Sequence, residues 1–214
     1  ILLPMISIDR FQNQLYWLDI GCALYSEYEG SEEGLKLWID SSRKAFDTMP
    51  DFIGDNLDVT CKELYCTYDT SYITVKTLAF YARKDSPENY AVWHNTWCRE
   101  SMKEAVSRYV VDAAGALYHM LWLDYCYSRE ERKWYIYQQH RWVRLSNTCK
   151  LLKFLSTTFT EKFVKWRNEL LDNSDVNQTD ILNISRFIRR VLTMSFRSNI
   201  IKEAEEEIGL KNLK

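Results

Sequence analysis

The stretch KWYIYQQHRWVRL, residues 133–145, decides the fold class of the second half of this 214-residue chain. Aromatic and polar residues alternate on both sides of Gln139-His140, a pattern typical of a β-hairpin with a short turn. The predicted strands are 133–138 and 141–145, and no other part of the sequence predicts a strand convincingly. The alternation assigns Trp134, Ile136 and Gln138 to one face of the hairpin and Lys133, Tyr135 and Tyr137 to the other.

Helical periodicity dominates the rest of the chain. The clearest amphipathic pattern has apolar residues stepping by three and four, at Leu152, Leu155, Phe159, Phe163, Trp166 and Leu170. Other helices are predicted at about 57–67, 73–83, 100–125, 178–192 and 195–208. The sequence Asp85-Ser86-Pro87-Glu88 favours a helix start, and we place a domain boundary near it. The predicted fold is mainly α, with two helical domains, 1–92 and 93–214, the second carrying one wing-like β-hairpin.

The charge is unevenly distributed along the chain. Residues 1–107 contain 10 Lys+Arg and 17 Asp+Glu, whereas residues 108–214 contain 18 and 13. The span 129–167 contains 10 basic and 3 acidic residues, so positive charge is concentrated around the hairpin. A basic region of this kind favours a polyanionic partner through counterion release.

These observations make the hairpin region a candidate DNA-binding surface, with an exposed aromatic residue stacking on a base. The proposed DNA contacts are Lys133, His140, Arg141, Arg144, Lys150 and Lys153, followed by Arg129 and Arg132 at the entry to the hairpin. Two other interpretations remain open for the hairpin: it contacts another subunit, or both of its faces are covered and the cations are solvated. The lysines after it also fit the solvated face of an amphipathic helix.

Catalytic motifs are missing from the sequence. No G-x-x-x-x-G-K-[ST], G-x-G-x-x-G or Asp-x-Asp pattern occurs, so we expect this segment to be non-catalytic, without a bound metal or cofactor. One alternative is a zinc-dependent nucleic-acid module that uses Cys61, Cys66, His94 and Cys98. Without a C-x-x-C pair or a secretory signal, free thiols and a protein that is not secreted are expected. No stretch is long and apolar enough to predict a membrane span, and the missing initial Met suggests a piece of a larger protein.

Two motif sets in the first half resemble the module that follows the primase domain in viral and phage primase–helicases. They are YWLDIGCALY (16–25), followed by GSEEGL (30–35) and Trp38, and TLAFYARKDSPENY (77–90). The second half, with WYIY (134–137), HRW (140–142) and IIKEA (200–204), resembles the domain that precedes a superfamily 3 helicase. The best match is the poxvirus-like primase–helicase family of large nucleocytoplasmic DNA viruses, which includes an African swine fever virus member.

The resemblance implies a connector and collar in a replicative enzyme. Its partners would be single-stranded or forked DNA, further copies of itself in a hexameric ring, and the primase and helicase domains of the same polypeptide. ATP and Mg²⁺ would act in those catalytic domains, and the protein would work at viral replication sites in the host cytoplasm. The other hypothesis is a protein-interaction scaffold that makes no contact with DNA.

Overall fold

A computed structural model describes residues 2–46, 56–68, 73–106, 109–138, 141–172 and 177–211. The chain divides into two compact units, Ile1–His94 and Asn95–Lys214, and the sequence had placed the division at 92/93. Helices predominate, and the strands form one small antiparallel sheet in the second unit. The prediction of a mainly α fold with a hairpin is confirmed. Within the described ranges, no helix is sufficiently long and apolar to cross a membrane.

The first unit consists of short helices with polar caps. The Asn13 side chain caps the second helix by accepting from the backbone N–H of Leu15, and Thr74 caps the fifth through the N–H of Lys76. The helices are α1 (Ile8–Gln12), α2 (Gln14–Glu27), α3 (Glu32–Phe46), α4 (Leu57–Tyr65), α5 (Val75–Asp85) and α6 (Pro87–Ala105), which continues into the second unit.

Trp38 on α3 is the centre of the first core. Its side chain is fully buried, and its ring lies 4.7 Å from that of Trp17 and 6.2 Å from that of Tyr65. The Trp17 indole N–H donates to Ser42 Oγ (2.9 Å), which donates to the Trp38 carbonyl (2.7 Å), so the Trp17 N–H and the Ser42 hydroxyl are both paired. α2 approaches this ring at Gly21, where a Cβ atom would lie 2.6 Å from Trp38. The motif therefore needs glycine here for close packing.

A tight turn links α2 to α3. Glu29 and Gly30 both have positive φ angles, 51° and 74°, and the Gly30 N–H donates to the Tyr25 carbonyl. A left-handed residue of this kind ends a helix by satisfying its last carbonyls. α3 then begins with Glu32 and Glu33, whose charges favour the positive end of the helix dipole.

An ion pair connects the first helix of this unit, α1, to the end of α5. Arg10 on α1 makes two hydrogen bonds to Asp85 at the end of α5, at 2.6 and 2.8 Å. The Ser7 backbone N–H donates to the same carboxylate, and the Arg10 guanidinium lies 4.1 Å from the centre of the Tyr81 ring. Asp85 therefore fastens α1 to α5.

The second unit contains the sheet and the remaining helices. A single helix over 100–125, expected from the sequence, is wrong: α6 ends at Ala105, and a separate helix and a strand follow. The predicted two-stranded hairpin is also incomplete, since β1 pairs with β2 to give the order β1-β2-β3. The elements are α7 (Val110–Leu121), β1 (Tyr125–Ser128), β2 (Lys133–Gln138), β3 (Arg141–Arg144), α8 (Cys149–Phe154), α9 (Thr160–Leu171), α10 (Gln178–Val191) and α11 (Met194–Lys211).

A π-helical turn, Leu155–Phe159, joins α8 to α9. The fully buried residues on this segment are Leu151, Leu155, Phe159 and Phe163, which recur every four residues. In a regular α-helix a four-residue step advances about 40° beyond a full turn, so this row would drift away from the core. The wider π turn offsets that drift and keeps all four side chains inside.

α11 forms the floor beneath the sheet. It packs against α7 and β1, with Ile200, Ile201 and Ala204 buried. The indole N–H of Trp134 on β2 donates to the Glu205 carboxylate at 3.1 Å. The sheet is therefore fixed to the helices through one face.

Candidate nucleic-acid interface

The strand register separates an inner and an outer face of the sheet. Trp134 is buried and pairs with Tyr127, also buried, with their ring centres 5.3 Å apart. On the other face Tyr135 lies opposite Arg144, and Tyr137 lies opposite Trp142. Directly opposed residues in an antiparallel sheet project to the same side. We call the second side the outer face; it carries Lys133, Tyr135, Tyr137, Trp142 and Arg144.

Trp142 gives the outer face its most unusual feature. Its side chain is 43% exposed, whereas the other seven tryptophans, all within the described residues, are buried or half-buried. Its ring lies 5.2 Å from that of Tyr137, at an angle of 61°. Large aromatic side chains are usually covered in monomeric proteins. An indole held in this way is available to a planar ligand.

Arg144 lies beside the aromatic residues and is exposed. Its neighbour Tyr135 donates to the Glu131 carboxylate at 2.5 Å, and this hydrogen bond raises the pKa of the Tyr135 phenol. Among the described residues, none forms an ion pair with Arg141, Arg144, Lys150 or Lys153. Their charge is therefore available to an anionic partner.

Arg141 and Arg144 do not share a face. Arg141 lies opposite Gln138 and is exposed at the end of the sheet, on the side of Trp134. The charge pattern of the sequence had suggested one group for the two arginines, although residues three apart on a strand point to opposite sides. They are therefore separate candidates for DNA contact, and His140 lies outside the described residues.

The other predicted contacts lie on different elements. Lys150 and Lys153 are exposed on α8, and Lys133 is half-buried at the start of β2. The Arg129 guanidinium donates to the Glu206 carbonyl at 3.2 Å, so it also helps to hold α11. Arg132 is exposed in the β1–β2 turn, with a positive φ of 52°. The structure thus groups Lys133 and Arg144 on the outer face, whereas Arg141 lies on the opposite side and the other described candidates lie on other elements.

The zinc alternative gains no support from the arrangement of its cysteines. Cys61 is buried and Cys66 exposed, and burial raises the pKa of the Cys61 thiol to about 12 and that of Cys98 to about 11. His94 stacks on Tyr90, with ring centres 5.6 Å apart. No group of three or more His, Cys, Asp or Glu side chains in the described part of the chain could hold a metal ion.

Sequence reasoning did not include Trp142 and Tyr137 among the site residues. The sequence already contained this information, because the predicted two-residue turn implies a register in which Tyr137 pairs with Trp142 on the face opposite Trp134. β1 was missed for a different reason: Tyr125–Ser128 is short and shows its strand character only through pairing with β2.

Comparison with known proteins gives two matches. Residues 2–82 match the family Primase C terminal 2 (PriCT-2). The chain is also similar to a protein of Acanthamoeba polyphaga mimivirus named as a candidate helicase, with 21% identity over 217 residues. That alignment covers 96% of this chain, and the chain spans 22% of the length of the relative. The African swine fever virus member is not singled out by either match.

Proposed function

We propose that this chain is a connector and collar in a viral primase–helicase that acts in DNA replication. The PriCT-2 match over residues 2–82 and the similarity to the viral relative support this proposal. It would couple the primase domain to the helicase domain of the same polypeptide and receive DNA on its second unit. The connector itself would be non-catalytic. The first unit, residues 1–94, contains 8 Lys+Arg and 15 Asp+Glu, which suits contact with proteins better than contact with DNA.

The observation that carries DNA engagement is the composition of the outer face. Arg144 and an exposed Trp142 lie side by side on a sheet whose other face is fixed to the helices by Trp134. Arginine and lysine supply phosphate contacts, whereas aromatic rings interact with bases. We also propose DNA contacts for Arg141, Lys150 and Lys153, and for His140, Arg129 and Arg132, which would add to the positive charge of the second unit.

In the whole protein we expect a superfamily 3 helicase that acts as a hexameric ring at replication sites in the host cytoplasm. ATP and Mg²⁺ would serve the helicase and primase domains. No residue of this chain is assigned to either group. The proposal for this chain concerns only how it binds DNA and neighbouring domains.

A salt series tests DNA engagement. Fluorescence anisotropy of the 214-residue chain with labelled single-stranded and forked DNA should give log affinity falling linearly with log salt. Arg144→Ala should weaken binding and reduce the slope by about 0.7–0.9, the value for one lost phosphate contact. Lys202→Ala is the matched control, since it removes one exposed charge from α11, away from the outer face. An Arg144→Ala slope equal to that of the wild type would contradict the assignment.

A protein-interaction scaffold without DNA contact is the second candidate. It is favoured by the sheet order, because β3 is an edge strand and an edge can pair with a strand from another chain. Sedimentation velocity of the chain alone tests this: concentration-dependent association that Trp142→Ala abolishes, together with no DNA binding at low salt, would support the scaffold.

A further inference from the structure

We infer that the outer face of the sheet binds single-stranded DNA by stacking a base on Trp142, with Tyr137 supporting the indole and Arg144 contacting a flanking phosphate. This rests on the proposed function and specifies the form of DNA that the site accepts. The aromatic pair, rather than the number of cations, is the feature that selects the ligand.

Two rings on neighbouring strands, Tyr137 and Trp142, form the platform on which a base would stack. Tyr137 belongs to β2, the central strand, which pairs on both sides, and Trp142 belongs to β3, its neighbour. The 5.2 Å contact between the two rings restricts rotation of the indole while leaving 43% of the Trp142 side chain exposed. A ring held in place loses little conformational freedom when a base stacks on it.

Arg144 places a positive charge close to the Trp142 ring. Trp142 and Arg144 are two residues apart on one strand, so they share a face and are separated by about 7 Å. A base stacked on the indole would therefore have the Arg144 guanidinium about one nucleotide away, where it can contact a flanking phosphate. No described residue forms an ion pair with Arg144, so an anionic partner would not have to displace one.

A DNA duplex does not expose the base faces that Trp142 would stack on. In double-stranded DNA each base face is covered by the neighbouring base pairs, so a surface tryptophan meets only the sugar–phosphate backbone unless the bases are unstacked. A single strand offers its base faces freely, and stacking on aromatic residues tolerates any sequence. The exposed Trp142 therefore favours a single strand, while a purely basic surface would bind either form.

The test compares three probes of about 16 nucleotides. They are a thymine oligonucleotide, an abasic sugar–phosphate strand of the same length, and a duplex of the same length. Each is titrated into the 214-residue chain, its Trp142→Ala and Trp142→Phe variants, and Leu182→Ala, which removes an exposed apolar side chain from α10. Circular dichroism checks that each variant is folded. We expect the fold of the Trp142 variants to be unchanged, because the Trp142 side chain is exposed.

For the wild type, the thymine strand should bind more tightly than the abasic strand. Trp142→Ala should weaken thymine binding about 5- to 20-fold, Trp142→Phe should weaken it less, and Leu182→Ala should leave it unchanged. Abasic and duplex binding should not respond to Trp142→Ala.

Equal wild-type affinity for the thymine and abasic strands, or thymine binding unaffected by Trp142→Ala, would overturn the stacking site while leaving salt-dependent DNA engagement intact. An equal loss of duplex and single-strand binding in Trp142→Ala would overturn the preference for a single strand. Absence of binding to all three probes at low salt would overturn both this inference and the proposed function. The comparison of wild-type affinity for the thymine and abasic strands needs no variant, so it tests whether the chain contacts bases even where a substitution disturbs folding.

Discussion

Replacing Gly21 with alanine is expected to destabilise the first unit by about 2 kcal/mol. The added Cβ atom would lie 2.6 Å from Trp38 Cε2 and Cζ2, closer than such contacts occur, and the fully buried ring touches Trp17 on another side. Overpacking of a rigid ring costs up to about 3 kcal/mol. The better helix propensity of alanine offsets about 1 kcal/mol of this cost, because Gly21 lies inside α2.

Gly115 provides the matched control. It lies inside α7, and an added Cβ would meet nothing within 4 Å, so Gly115→Ala should stabilise the second unit by about 0.5–1 kcal/mol. Urea unfolding followed by circular dichroism and fluorescence measures both variants, and the Gly21→Ala midpoint should fall by about 1 M. If Gly21→Ala is neutral or stabilising, as Gly115→Ala should be, the close packing of α2 on Trp38 is refuted.

Three further outcomes follow from the contacts. Burial raises the pKa of Asp85, but hydrogen bonds from Arg10 and the Ser7 N–H outweigh burial, and the pKa is lowered. The ion pair therefore stabilises the fold fully above about pH 4, and this stabilisation is lost as the pH falls through the pKa of Asp85 in the folded protein. Asp85→Asn should therefore destabilise by about 1.5–3 kcal/mol at pH 7 in urea unfolding and match the wild type at acidic pH; a constant difference would contradict this. Maleimide labelling at neutral pH, followed by mass spectrometry, should modify exposed Cys66 and spare buried Cys61, whose pKa is about 12; equal labelling would be inconsistent with the burial of α4. Trp134→Phe should cost about 1–2 kcal/mol in the same unfolding assay by removing a part-buried hydrogen bond to the Glu205 carboxylate, and an unchanged stability would show that the indole N–H does not fix the sheet.

The sequence predicted those parts of the fold whose signals are local. The alternation in 133–138 predicted β2, because a strand with one buried face alternates whatever surrounds it. β1 could not be predicted in this way, because its four residues are separated from the apolar helix α7 by only three residues and become a strand only by pairing with β2. The break between α6 and α7 likewise has no glycine or proline to mark it.

For the candidate site, the sequence located the basic region but not its surfaces. Charge counts identify Arg141 and Arg144 equally, and only the register shows that they lie on opposite sides of the sheet. The exposure of Trp142 depends on which face packs on α11, and that choice is made by Trp134 and its hydrogen bond to Glu205. A tertiary contact therefore decides which aromatic residues are free to meet a ligand.

The most direct test of DNA engagement by the sheet is photocrosslinking of the 214-residue chain to a single strand that contains iododeoxyuridine, with the attachment site mapped by mass spectrometry. The account predicts that the crosslinks fall on the peptide carrying residues 133–145, at Trp142 or Tyr137, and that added salt suppresses them. Crosslinks confined to the acidic first unit, or equal yields for wild type and Trp142→Ala, would contradict it.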